Sequence, residues 1–207
     1  CIIEILSGEK WYDYITKNIY RKLGADDICF NPYLKYPPDR IIPTEYDSIF
    51  RRQLLHGTVH DEGAALLGGI SGHAGLFATG NDLMKLLEMY RRMGSYGGER
   101  IIDQDVIRRY TSVQFPENEN RRGLGFDKPL LNNYEVLPQN SNTAKSSSMS
   151  SFGHTGYTGT YVWVDPEFEL SYIFLSNRVN PTRTNNLLTE LNIRTSILQV
   201  LYDSIEN

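Results

Sequence analysis

The stretch from residue 153 to residue 175 limits the fold of this chain more than any other. Gly153-His154-Thr155-Gly156-Tyr157-Thr158-Gly159 leads into Thr160-Tyr161-Val162-Trp163-Val164, then Asp165-Pro166-Glu167, then Leu170 to Leu175. β-Branched and aromatic residues fill both runs, and the Asp-Pro-Glu between them is turn chemistry. The pattern predicts a hairpin of strands 157–164 and 170–175. A final helix from about Asn185 to Ile205 is predicted to follow, burying Leu187, Leu191, Ile197, Leu198 and Leu201. The glycines at the head of the hairpin admit two readings. They let a ligand lie against bare backbone, whose N–H groups bind it directly, or they serve backbone geometry alone.

Ahead of the hairpin the chain reads as mainly helical. Residues 1–7 read as the end of a helix closed by Ser7-Gly8, and Glu9–Leu23 as a second helix with Trp11, Ile15, Ile19 and Leu23 on one face. Pro32, Pro37, Pro38 and Pro43 make 25–50 a long loop. Asn81 is expected to cap a helix to Met93, with Leu83, Leu86, Leu87 and Tyr90 inward and Gly94 as its stop. A shorter helix is predicted over Asp103–Tyr110. Gly123–Phe126 reads as a short strand, and the Ser/Asn-rich 139–151 as a flexible excursion. Helices first and an antiparallel hairpin last define an α+β fold: a helical region over about 1–122, then sheet and C-terminal helix over about 123–207.

Composition excludes several classes. The net charge of −4 gives no footprint for nucleic acid, and no apolar run reaches the ~18 residues of a membrane span. Two cysteines, Cys1 and Cys29, are too few for a disulfide framework and lack metal-ligand spacing. His56, His60, Asp61, Glu62 and His73 invite a metal reading, since His56 and His60 would share a helix face. Gly57 and the β-branched Thr58-Val59 make that helix poor. The group is therefore expected to be a polar knot holding the Gly-rich loops, with no metal and no cofactor.

Several motifs carry a family resemblance. Residues 1–24, Ser71-Gly72-His73-Ala74-Gly75-Leu76-Phe77-Ala78-Thr79 with Asp82-Leu83, Gly153–Thr160 and Leu175-Ser176-Asn177-Arg178 together resemble the serine β-lactamase and penicillin-binding-protein family of the class C type. Val59-His60-Asp61-Glu62 resembles the subgroup fused to glycoside hydrolases acting on N-acetylglucosamine. The matches span most of the chain and are specific in combination. The resemblance implies part of a β-lactamase/transpeptidase-like fold, and a serine acyl hydrolase of esterase, amidase or D-peptidase type working through an acyl-enzyme. It implies a small-molecule or peptidoglycan-derived amide or ester substrate, and a periplasmic or cell-envelope setting.

Carried over residue by residue, the resemblance assigns His154, Thr155 and Gly156 to substrate binding and the Tyr157 backbone N–H to the oxyanion. The family's reactive Ser and Lys lie one helical turn apart. Here the formal match is Ser7-Gly8-Glu9-Lys10, where Gly8 stops a helix that the chemistry needs to begin. No Tyr-x-Asn or Ser-x-Asn occurs. The catalytic Ser, Lys and Tyr are thus expected upstream of residue 1, with 1–207 the C-terminal part of a single domain and inactive alone. His154 replaces the Lys of the commoner motif, which weakens the case for a free-carboxylate substrate. Arg178 reads as a solvated strand-end residue. The alternative is a non-catalytic binding or scaffold module with the same fold. A bare sheet edge predicts self-association.

Overall fold

The computed structural model describes residues 1–206, which fall into two compact units. The first comprises Cys1–Leu86 with Asn177–Asn185. Its helices α1 (Ile2–Ser7) and α2 (Trp11–Ile15) are separated by Gly8, whose φ of +71° ends α1. The periodicity that predicted one helix to Leu23 is interrupted, because a π-helical turn, Thr16–Tyr20, widens the last part. Trp11 and Tyr12 meet Phe30 edge-on, with ring centroids 5.5 and 5.3 Å apart. Phe30 lies on β1 (Cys29–Phe30), followed by β2 (Tyr46–Asp47), β3 (Gln53–Leu54), α3 (Glu62–Leu66) and β4 (Leu76–Phe77). β1 pairs with β4 and β2 with β3, both antiparallel.

The polar interior of this unit is built on charge pairs. Buried Glu45 takes the Arg183 fork, Nε to Oε1 at 2.9 Å and Nη2 to Oε2 at 2.8 Å. The Arg183 backbone N–H donates to the same carboxylate at 2.9 Å. Helix α4 (Gly80–Arg91) follows, with Asp82 accepting from the Asp27 N–H at 2.7 Å. The α4 cap differs from expectation: Thr79 Oγ1 accepts from the Asp82 N–H at 3.2 Å, and Asn81 already lies inside the helix.

The second unit comprises Leu87–Ser176 with the segment from Asn186 onward. It contains β5 (Ser95–Tyr96), β6 (Glu99–Arg100), α5 (Gln104–Thr111), β7 (Phe152–Thr155), β8 (Tyr161–Asp165), β9 (Leu170–Phe174), α6 (Leu187–Glu190) and α7 (Ile193–Glu206). Asp103 caps α5 through the Asp105 N–H. The sheet order is β7-β8-β9, all antiparallel. The expected hairpin is therefore the second half of a three-stranded sheet. Residues 156–160 form the turn between β7 and β8, so the first predicted strand begins at Tyr161 instead of Tyr157.

Side-chain alternation gives the sheet two buried faces. One holds Phe152, Val162, Val164 and Ile173 against Leu87, Tyr90 and Phe126. The other holds Tyr161, Trp163 and Tyr172 against Ala144, Leu198 and Tyr202.

Three further expectations are corrected. Gly123–Phe126 is a bend, because Leu124 N donates to the Tyr110 carbonyl and no ladder forms. Residues 139–151 form a bonded polar seam instead of a loose excursion. Ser141, Thr143, Ala144, Ser147 and Ser151 are buried, and Thr143 Oγ1 lies 2.9 Å from the Tyr161 hydroxyl. The final helix breaks between α6 and α7 at Asn192, whose φ is +50°. Of its predicted buried face only Leu198 is enclosed; Leu187, Leu191, Ile197 and Leu201 are exposed, and Tyr202 takes the inner place instead.

Candidate functional site

The His154-Thr155-Gly156 segment lies at the end of β7, on the outer side of the sheet. Register fixes how its groups are presented. Gly153 exchanges both backbone hydrogen bonds with Asp127, at 2.8 and 3.0 Å, so the outer edge of β7 is taken at that residue. Backbone direction alternates along a strand, so Thr155 is the next residue to face outward. His154 and Thr155 are both exposed.

The glycines have a local reason for being there. A Cβ on Gly153 would run into the Val162 carbonyl and the Trp163 ring, and one on Gly156 into Thr160 Oγ1. Bare backbone at 153 thus lets β8 and its indole approach closely. Tyr157 sits in the turn that follows and is 60% exposed.

The charge at this edge comes from a residue that the sequence did not single out. Arg122 Nη2 lies 2.8 Å from His154 Nε2, and His154 Nδ1 lies 2.7 Å from the Thr155 carbonyl. A guanidinium can only donate, so Nε2 is the acceptor and the ring proton sits on Nδ1, donating to Thr155. His154 is thereby a neutral imidazole in a single tautomer, and the cation against its ring is Arg122. Arg121 holds Asp127 at 2.9 Å, and Arg122 Nη1 stands 3.9 Å from that carboxylate. Nothing in the sequence ties an Arg-Arg pair to a histidine 32 positions later.

On the Thr155 side opens a cleft of about 190 Å³, lined by Asn142, Thr155, Tyr161, Asn192, Arg194 and Thr195 among others. Arg194 Nη1 donates to the Thr160 carbonyl at 3.3 Å. The cleft wall carries one guanidinium, that of Arg194, with the amides of Asn142 and Asn192 and the hydroxyls of Thr155 and Thr195, groups that suit a ligand with an anionic end and amide groups.

The other residues weighed from sequence lie in the first unit. Ser7 closes α1, and its Oγ accepts from the Glu9 N–H at 3.1 Å, while Lys10 precedes α2 in an extended conformation. Ser7 and Lys10 therefore do not share a helix. His56 Nε2 lies 2.7 Å from the Ile41 carbonyl, His60 Nε2 lies 2.6 Å from Glu45, and Glu62 pairs with Arg183 at 2.9 Å. Among the described residues no group of three or more His, Cys, Asp or Glu could hold a metal ion. Arg178 is not merely solvated: its Nη1 donates to the Arg183 and Asn185 carbonyls at 3.1 and 2.8 Å.

A three-stranded antiparallel sheet with helices on both faces and a His-Thr-Gly edge is the pattern of the serine penicillin-recognising proteins. The family model described as Beta-lactamase matches residues 1–195, and the chain belongs to that family. A relative in Escherichia coli K12, described as "Putative D-alanyl-D-alanine carboxypeptidase", is 32% identical over 189 residues, which is 86% of this chain and 42% of the relative. A protein of the same description in Salmonella paratyphi B matches to the same extent. The chain thus spans less than half the length of these relatives. Two solved structures share the fold. A penicillin-binding protein homologue from Pyrococcus abyssi, octameric, has a TM-score of 0.61 at 21% identity, covering 98% of this chain and 40% of its own. A β-lactamase from Mycobacterium bovis has a TM-score of 0.59 at 18% identity, covering 98% and 59%.

Proposed function

We propose that this chain supplies the substrate-binding wall of a serine acyl hydrolase that cleaves peptidoglycan-derived peptides ending in a free carboxylate. The reading rests on one observation: Arg122 fixes His154 as a neutral, oriented ring beside the outward-facing Thr155. The substrate carboxylate would be taken by Arg122 and the Thr155 hydroxyl, with the peptide lying along the β7 edge as an added strand. The carbonyl to be attacked would face the Tyr157 N–H, as half of an oxyanion hole. The doubt that a histidine cast on carboxylate substrates is met by Arg122, which carries the permanent charge that His154 lacks. The carboxypeptidase description of the E. coli relative agrees with such a substrate.

Ser7 and Lys10, the formal Ser-x-x-Lys of this chain, do not share a helix, and no Tyr-x-Asn occurs in its sequence. We therefore propose that the chain alone binds the dipeptide without cleaving it. The test is a titration with N-acetyl-D-alanyl-D-alanine followed by amide NMR shifts. Shifts at Thr155 and Tyr157 that vanish in Arg122→Ala are expected, at millimolar ligand. Shifts elsewhere, or unchanged in that variant, would overturn the assignment. Covalent labelling by a fluorescent penicillin, lost in Ser7→Ala, would overturn that claim by giving Ser7 the nucleophile's role.

The second reading is a scaffold that keeps the fold without the chemistry. A longer form of the protein that binds the dipeptide but takes up no penicillin would decide for it.

A further inference from the structure

Three side chains of the first unit line up as a proton relay. Asp61 precedes α3, and Ser71 and His73 belong to the Gly-rich loop between α3 and β4. His73 Nε2 lies 3.1 Å from Asp61 Oδ1, and Ser71 Oγ lies 2.8 Å from His73 Nδ1. The loop follows a path open to few sequences. Gly69 and Gly75 have φ of +82° and +112°, and a Cβ on either would strike Asn31 Oδ1 or the Gly69 carbonyl. That path brings residues 71 and 73 back over Asp61.

Asp61 decides where the protons lie. Its Oδ1 accepts from the Ala64 N–H at 2.7 Å, and this bond, with that from His73, holds its carboxyl below the usual range. An ionised carboxylate only accepts, so the hydrogen shared with His73 is on Nε2. In the neutral ring Nδ1 then carries a lone pair, and the Ser71 hydroxyl is the group that donates to it. A serine hydroxyl bonded to an imidazole that a carboxylate orients is the arrangement that activates a nucleophile. The two ring nitrogens are exchanged relative to the usual Ser-His-Asp order, but either nitrogen can accept a proton. A ligand can reach the group, since the side chains of His73 and Asp61 are 59% and 42% exposed.

We propose that Ser71 is a nucleophile in its own right, accepting acyl or phosphonyl groups from small activated esters, with His73 as general base and Asp61 as a positioning residue. Ser71 Oγ forms the new bond to the carbonyl carbon, and its proton passes to His73 Nδ1. The ester C–O bond breaks, and the proton goes to the leaving alcohol. Water then takes the same route to release the acid and restore Ser71. General-base help of this kind is worth about 10²-fold at the low end, which suits a site open to solvent. The activity uses none of the residues assigned to dipeptide binding, so either assignment can fail without the other.

The test is labelling of the 207-residue chain with an alkyl fluorophosphonate, read by intact mass and peptide mapping. Attack at phosphorus releases fluoride and leaves one phosphonyl group. One adduct on Ser71 is expected, absent in Ser71→Ala. Its rate should fall at least tenfold in His73→Asn and in Asp61→Asn, where asparagine keeps the cap on α3. Matching melting curves would establish that both variants are folded. No adduct on Ser71, or one that forms at an unchanged rate in both folded variants, would overturn the proposal.

Discussion

Arg122 and His154 are joined by a 2.8 Å hydrogen bond in which the guanidinium donates to Nε2. The bond removes the lone pair that would make His154 a base, and it leaves the ring proton on Nδ1, bonded to the Thr155 carbonyl. Two residues 32 positions apart thus act as one unit, a fixed cation with an oriented spacer. If this unit receives a carboxylate, Arg122→Ala lowers dipeptide affinity about tenfold or more, since a hydrogen bond to a charged group contributes roughly 1.5–3 kcal/mol. Arg122→Lys should recover only part of it, because an ammonium cannot reproduce the fork. Dissociation constants from the NMR titration check both outcomes.

Gly153 should tolerate no side chain. Alanine there meets the Val162 carbonyl and the Trp163 ring, so β7 has to move away from β8. A loss of about 1–3 kcal/mol is expected, as for other overpacked cores. Urea denaturation of Gly153→Ala reads it directly, and the same variant should displace His154 from Arg122.

Arg183 is expected to be among the most sensitive positions in the first unit. Its loss leaves the Glu45 carboxylate, 4% exposed, with the backbone N–H of residue 183 and His60 as its remaining partners among the described residues. Breaking a buried pair from one side costs roughly 3–5 kcal/mol. Arg183→Ala should therefore unfold at far lower urea than Glu62→Ala, whose carboxylate is 40% exposed.

Acid should weaken the second unit through Glu88. The Arg91 fork lowers its carboxyl to about 2 from an ordinary 4.5, against the opposing effect of burial, with Ser171 and Arg92 adding to the shift. A depressed carboxylate stabilises the fold above its unfolded value. Its contribution is complete above about pH 4.5 and disappears as pH falls toward 2. Glu88→Gln should flatten that part of the stability–pH curve, as measured by urea melts between pH 2 and 6.

The outer edge of β9 should drive association of the isolated chain. Among the described residues β9 pairs only with β8, and α7 presents exposed Ile197, Val200, Leu201 and Ile205 along one stripe. Unpaired edges and contiguous apolar surface seek partners. Sedimentation velocity should show mass rising with concentration. Leu175→Lys, placing a charge at the end of that edge, should weaken it at least tenfold. A monomer at every concentration would contradict this.

The sequence by itself determined the elements whose causes are local. Gly8 ends α1, Asp103 caps α5, and alternating β-branched and aromatic residues make β8 and β9. It also marked the His-Thr-Gly edge, because glycine spacing and strand pattern are written in consecutive residues. Tertiary structure alone decided the rest. The polar run 139–151 looks unfolded by composition, yet its hydroxyls are buried against Tyr161 from a strand ten residues beyond. The apolar stripe of the last helix predicts burial, but a period says only which residues share a face, and here just Leu198 and Tyr202 meet the sheet. Arg122 is the sharpest case. Its role depends on a bend at Gly123–Phe126 and on Asp127 pairing with Gly153, contacts that close a loop of about 30 residues and leave no trace in local pattern. The edge was legible because it is local; the guanidinium bonded to His154 was not, because it arrives from elsewhere in the fold.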